Sequence, residues 1–148
     1  MDSVTESIYI RASKAKVFEA FVNHIGEWWP FKGKFSYSFA PESTQPKLIQ
    51  FEARTGGRFY ETFANGEQYE IGTITAWQPP DQLSFTWKGE EYKAPTLVEV
   101  QFTQAEDQTK ITLTHSGWEA AGLPDYAESY GVGWEEILGN LSSWLAGK

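Results

Sequence analysis

Three consecutive segments near the middle of the chain alternate apolar and polar residues with a period of two: Gln82–Lys88 (QLSFTWK), Thr96–Thr103 (TLVEVQFT) and Thr109–His115 (TKITLTH). Successive side chains of a strand point to opposite faces of a sheet, so each segment reads as a strand with one covered face. The inward sets are Leu83, Phe85 and Trp87; Val98, Val100 and Phe102; and Ile111, Leu113 and His115. Ser84, Thr86, Lys88, Glu99 and Gln101 then face outward. Upstream, KLIQFEAR, RFYETF and EQYEIGTITAW read as further strands separated by Gly56-Gly57 and Asn65-Gly66. The Asn-Gly pair predicts a type I′ hairpin, in which both central residues reach positive φ. A first strand carries Val4, Glu6, Ile8 and Ile10 on one parity, making seven strands. Six of them are consecutive, which implies an antiparallel meander.

Two helical patterns complete the chain. Ser13 is placed to cap a helix that starts at Lys14 and carries Val17, Phe18, Phe21 and Val22 on one face. HIGEWWPF then predicts a second short helix or irregular turn, and KGKFSYSFAPESTQP a long aromatic loop. At the C-terminus Tyr130, Trp134, Ile137, Leu138, Leu141, Trp144 and Leu145 form one stripe, opposite Glu135, Glu136, Asn140, Ser142 and Ser143. Asp125 and Glu128 have the spacing of a capping box. The stripe needs a sheet to cover it. The expected fold is therefore α+β: a seven-stranded curved antiparallel sheet wrapped around a long C-terminal helix, with two short helices after strand 1. The 148 residues read as one domain, 1–148, since a chain of this length supports a single core.

The composition narrows the partners. A formal net charge of −8 disfavours nucleic acid, whose phosphates would be repelled. There is no cysteine, so disulfides, thiolate metal sites and a catalytic thiol are excluded. No run of ~18 apolar residues suggests a membrane span, and the N-terminus lacks a signal-peptide pattern, so a cytoplasmic location is expected. No cofactor is expected, and no metal, because His24 and His115 fall in different elements without clustered carboxylates. A monomer and a homodimer both fit the sequence.

Seven Trp, seven Tyr and ten Phe leave an interior of wide flat side chains, which are hard to pack without gaps. Gly131, Gly133 and Gly139 in the last helix point either to close packing on sheet aromatics or to room for a ligand. Parity places two titratable groups, Glu61 and His115, on the apolar face, where each needs a partner, water or a ligand. His115 reads either as a core histidine bonded to a neighbour or as a polar handle; Glu61 has the same choice, with a bulge near Gly57 able to turn it outward. Ser116, next to His115 on the opposite face, cannot form a dyad with it. The expected ligand-binding set is Trp28, Phe59, Glu61, Phe63, Tyr69, Trp77, Phe85, Trp87, Phe102, His115, Tyr130 and Trp134.

The segments IRASKAKVFEAFVN, GGRFYETFANGEQYEIGTITAWQPPDQLSFTW, TLVEVQFTQAEDQTKITLTHSGW and GWEEILGNLSSWL, in that order and spacing, resemble the SRPBCC superfamily with its START-related helix-grip fold. The branch is similar to the C-terminal domain of the activator of the ninety-kilodalton heat-shock chaperone's ATPase. The resemblance implies a deep cavity between sheet and C-terminal helix. Superfamily members bind lipids, sterols, hormones and polyketides, and some are cyclases or dehydratases. Three functions follow as expectations: binding of a small aromatic or lipid-like ligand, catalysis in the same cavity by Glu61 or His115, and interaction with a heat-shock chaperone.

Overall fold

The computed structural model describes residues 2–30, 38–89 and 91–148. Among these residues seven strands and three helices follow the order β1 (Ser3–Ile10), α1 (Lys14–Asn23), α2 (Ile25–Trp28), β2 (Pro46–Phe51), β3 (Arg58–Phe63), β4 (Gln68–Gln78), β5 (Gln82–Trp87), β6 (Thr96–Ala105), β7 (Gln108–Ser116) and α3 (Tyr126–Ala146). The sheet order is β1-β7-β6-β5-β4-β3-β2, every pair antiparallel. The meander therefore accounts for six strands, and β1 closes onto the last of them. Of the aromatic loop expected after α2, residues 31–37 lie outside the described residues.

The parity reading holds where alternation is strict: in β5 and β7 buried residues alternate without a break. Leu83, Phe85, Val98, Val100, Ile111 and Leu113 all face the core. The sheet curls into a half-barrel. Register shifts lie between Phe59 and Tyr60 opposite β4, and between Ile74 and Ala76 opposite β5. They flank Gly72, where a Cβ would lie 1.7 Å from the Thr86 carbonyl oxygen; only glycine lets the two backbones approach this closely.

α3 lies across the concave face and buries Ala127, Gly131, Trp134, Ile137, Leu138, Leu141 and Leu145. At Gly131 a Cβ would meet Val4 Cγ2 at 2.6 Å, so this glycine serves close packing on β1. Ser13 caps α1 as expected, accepting from the Lys16 N–H at 3.3 Å.

Three local expectations are corrected. Asp125 precedes α3 with helical dihedrals (φ −90°, ψ −2°) and makes no side-chain cap, because a capping side chain needs an extended backbone to reach back to the first turn. The β3–β4 turn is not type I′: Gly66 has φ +91° but Asn65 is not at positive φ, and Gly66 N–H donates to Phe63 O at 2.9 Å. This is a type I turn followed by one left-handed residue, a longer hairpin loop with a glycine bulge. Finally, β2 ends at Phe51, short of Arg54, because Glu52 turns its carboxylate back onto the Arg58 N–H (2.9 Å) and guanidinium (3.1 Å).

Candidate functional site

Between α3 and the strand ends lies a half-open cavity of about 300 Å³, lined by Ser38, Phe39, Trp87, Ser129, Tyr130, Gly133, Trp134 and Ile137. Its position follows from the fold. Trp87 ends β5 on the inward parity, while Tyr130, Gly133, Trp134 and Ile137 occupy successive turns on one side of α3. Trp87 is at the centre, with ring centroids of Phe39, Trp134 and Tyr130 at 5.5, 5.5 and 6.0 Å. A second recess of about 350 Å³, bounded by Pro41, Tyr69, Gly89, Glu91 and Tyr92, shares Phe39 and Tyr130 with the first.

Behind the apolar wall run two hydrogen-bonded chains. In the first, the Trp134 indole N–H donates to His115 Nδ1 at 2.9 Å. An indole nitrogen can only donate, so Nδ1 is unprotonated and Nε2 carries the hydrogen. Nε2 donates to Thr96 Oγ1 (2.7 Å), which donates to the Trp87 carbonyl (2.9 Å). Burial pushes the imidazole from 6.5 down to about 3. His115 is fully buried and both ring nitrogens are engaged; it supports two cavity-wall tryptophans and does not itself line the cavity. In the second chain, Trp87 Nε1–H donates to the Tyr92 hydroxyl (3.3 Å), which donates to the Tyr130 hydroxyl (2.7 Å). Burial first, then the Tyr130 hydroxyl, raises the Tyr92 pKa well above the ordinary 10.

Glu61 faces inward despite the neighbouring bulge and is fully buried. Its carboxylate accepts from the Ser38 hydroxyl and from the Phe39 N–H (2.7 Å), and the Ala40 N–H donates to Ser38 Oγ at 3.0 Å. Burial raises its pKa above 4.5, opposed by the Ser38 and Phe39 hydrogen bonds. Glu61 thus acts on the cavity one residue removed, by fixing the chain that carries Ser38 and Phe39.

Of the residues expected at a site, Trp87, Tyr130 and Trp134 line the cavity. Tyr69 stands one ring away, stacked on Phe39 at 4.6 Å. Phe59 and Phe85 form a layer behind Trp87, in mutual contact at 5.1 Å. Phe102 packs on Phe18 and Phe21, Trp77 on Phe18, and Trp28 on Phe21 with its N–H on Ala20 O (2.8 Å). These three belong to the packing of α1, and Phe63 sits at the far end of β3 opposite Pro46. Sequence reasoning missed Ser38, Phe39, Ser129 and Ile137, and had Gly133 only as one of its two readings. Ile137 carried a signal, being in the α3 stripe; Ser38 and Phe39 lie in a segment without periodicity. Among the described residues no three His, Asp or Glu side chains converge as a metal would need.

With this geometry in place, comparison with known proteins is decisive for the family. Residues 11–146 match the family model described as "Activator of Hsp90 ATPase homolog 1-like protein". The chain belongs to this family. The helix-grip architecture of the wider SRPBCC superfamily accompanies that membership. No curated protein matches the chain. Among solved structures, the family fold recurs in Txn09, an anthrahydroquino-γ-pyrone synthase, at 26% identity and TM-score 0.58, covering 87% of this chain and 84% of that one. CalU16 from Micromonospora echinospora is 22% identical with TM-score 0.63, covering 97% and 73% of the two chains. DynU16, a protein of the dynemicin biosynthetic locus, is 19% identical with TM-score 0.71; it covers 99% of this chain, which spans 48% of DynU16. The last two show the shared fold alone. No helix among the described residues is long and apolar enough to cross a membrane.

Proposed function

We propose that this family member binds a small, flat, largely aromatic molecule in the cavity between α3 and β5. The observation that carries the reading is the lining itself: four aromatic rings (Phe39, Trp87, Tyr130, Trp134) and Ile137, interrupted by a few hydroxyls and by Gly133. A mostly apolar concavity with sparse polar groups is the usual form of a small-molecule site. A volume of about 300 Å³ lies at the small end of such sites, which favours a compact ring system over a long acyl chain. The polycyclic product class in the name of Txn09 is of the same chemical kind.

A titration with 2-methylanthraquinone tests it, read as quenching of tryptophan fluorescence. Saturable one-site quenching is expected, abolished by Gly133→Leu, which fills the cavity while raising helix propensity by about 1 kcal/mol. Absence of saturable quenching, or unaltered binding by a folded Gly133→Leu variant, refutes the reading. Displacement by palmitate at lower concentration than by a second aromatic would instead favour a lipid-like ligand.

Catalysis in the same cavity is a second reading, supported by the 26% identity to a synthase and by Glu61 standing behind Ser38. Anthrone, whose methylene protons are acidified by its carbonyl, reports on it. Exchange with deuterated water faster than in buffer, and lost in Glu61→Gln, supports catalysis; binding without faster exchange supports the first reading alone.

A further inference from the structure

On the reading that the cavity binds an aromatic molecule, the hydrogen bonds around it limit which polar groups that molecule can carry. On one side the Trp87 N–H can only donate, so the Tyr92 oxygen receives it and the Tyr92 proton goes to Tyr130. Among the described residues the Tyr130 proton then meets no acceptor, at the wall shared by the two recesses. The high pKa of Tyr92 keeps this chain supplied with its hydrogen. Across the cavity the polarity is reversed. The proton of Ser38 is committed to the Glu61 carboxylate and one of its lone pairs to the Ala40 N–H, so what remains for a ligand is a second lone pair.

We infer that the cavity selects an aromatic molecule carrying a carbonyl-type acceptor toward Tyr130 and a hydroxyl-type donor toward Ser38, as in a hydroxylated quinone or aryl ketone. A plain hydrocarbon would offer the Tyr130 proton no acceptor, and a molecule with acceptors at both ends would set an oxygen against the Ser38 lone pair. Site groups left unpaired in this way are how hydrogen-bonding sites reject analogues.

Three probes of similar shape separate the terms at about pH 8, well above the ordinary pKa of a carboxyl group. They are 2-methylanthracene, 2-methylanthraquinone and 2-(hydroxymethyl)anthraquinone, whose alcohol does not ionise. Wild type should prefer the quinone over the hydrocarbon, and the hydroxymethyl over the methyl quinone, by ~3–10-fold each, the worth of one neutral hydrogen bond. Tyr130→Phe should collapse the first ratio and Ser38→Ala the second, with melting curves establishing that both variants are folded. If either ratio stays within about twofold of unity in wild type, or survives its variant, while 2-methylanthraquinone still binds, the complementary pattern is overturned and the binding reading stands. If none of the three probes binds wild type, the binding reading fails and takes this inference with it.

Discussion

Replacing His115 by Gln isolates the energetic consequence of burying a neutral imidazole. In the folded protein the group titrates near 3, against 6.5 when free. The unfolded chain therefore binds the proton first, and the contribution of His115 is fully present above pH 6.5 and is lost as pH falls toward 3. At about 1.4 kcal/mol per unit, the full window corresponds to about 5 kcal/mol, a large part of a typical stability of ~5–15 kcal/mol. Roughly half of it should already be gone by about pH 4.5. Gln offers an amide oxygen and an N–H in place of Nδ1 and Nε2 but does not titrate. His115→Gln should be less stable than wild type by about 1–3 kcal/mol at about pH 7.5, for imperfect contacts with Trp134 and Thr96. The gap should close or reverse by pH ~4.5. Urea unfolding of both proteins at the two pH values measures it, and taking the difference cancels the titration of Glu61, whose raised pKa acts in the opposite sense. Parallel pH dependence of the two proteins, within about 0.5 kcal/mol, would falsify a dry, neutral His115.

Other outcomes follow from the same contacts. Gly131→Ala should destabilise by ~1–3 kcal/mol in denaturant melts, because its Cβ enters Val4. Gly139→Ala, with nothing within 4 Å, should stabilise by about 1 kcal/mol in the same assay. Glu61→Gln keeps an acceptor for the Phe39 N–H without the charge. Since the folded pKa of Glu61 is raised, the stability of this variant relative to wild type should rise with pH above 4.5, as urea melts across that range would show. Trp87→Ala should cost about 3–5 kcal/mol by thermal or chemical unfolding, although the indole borders the cavity, since it is 4% exposed and packs against rings on several sides.

Most of the sheet was legible because β5, β6 and β7 each cover one face only, so burial writes itself into the chain as strict alternation. The α3 stripe was legible for the equivalent reason at helical period. Trp87, Tyr130 and Trp134 could thus be placed at one interface from the sequence alone. Ser38 and Phe39 could not, because their positions depend on two long-range hydrogen bonds to Glu61 and a loop has no period to reveal them. His115 shows the limit from the other side: parity found the inward direction, but the choice between core network and cavity wall rested on which atoms met its two nitrogens. The α3 glycines carry the same lesson. Gly131 packs on β1, Gly133 lines the cavity and Gly139 faces open space, a difference that one-dimensional spacing does not encode.

The two hydrogen-bonded chains make the cavity mechanically lopsided. Swinging the Trp134 indole strips His115 Nδ1 of its donor, and swinging Trp87 strips Tyr92, each a loss of about 1–3 kcal/mol inside an apolar surround. The Phe39 ring is held by stacking on Tyr69 and by its contact with Trp87, worth about 0.5–1.5 kcal/mol for such a pair. Guests of different outline would therefore be accommodated by the Phe39 side yielding, while the helix side acts as a fixed template whose shape every guest must match.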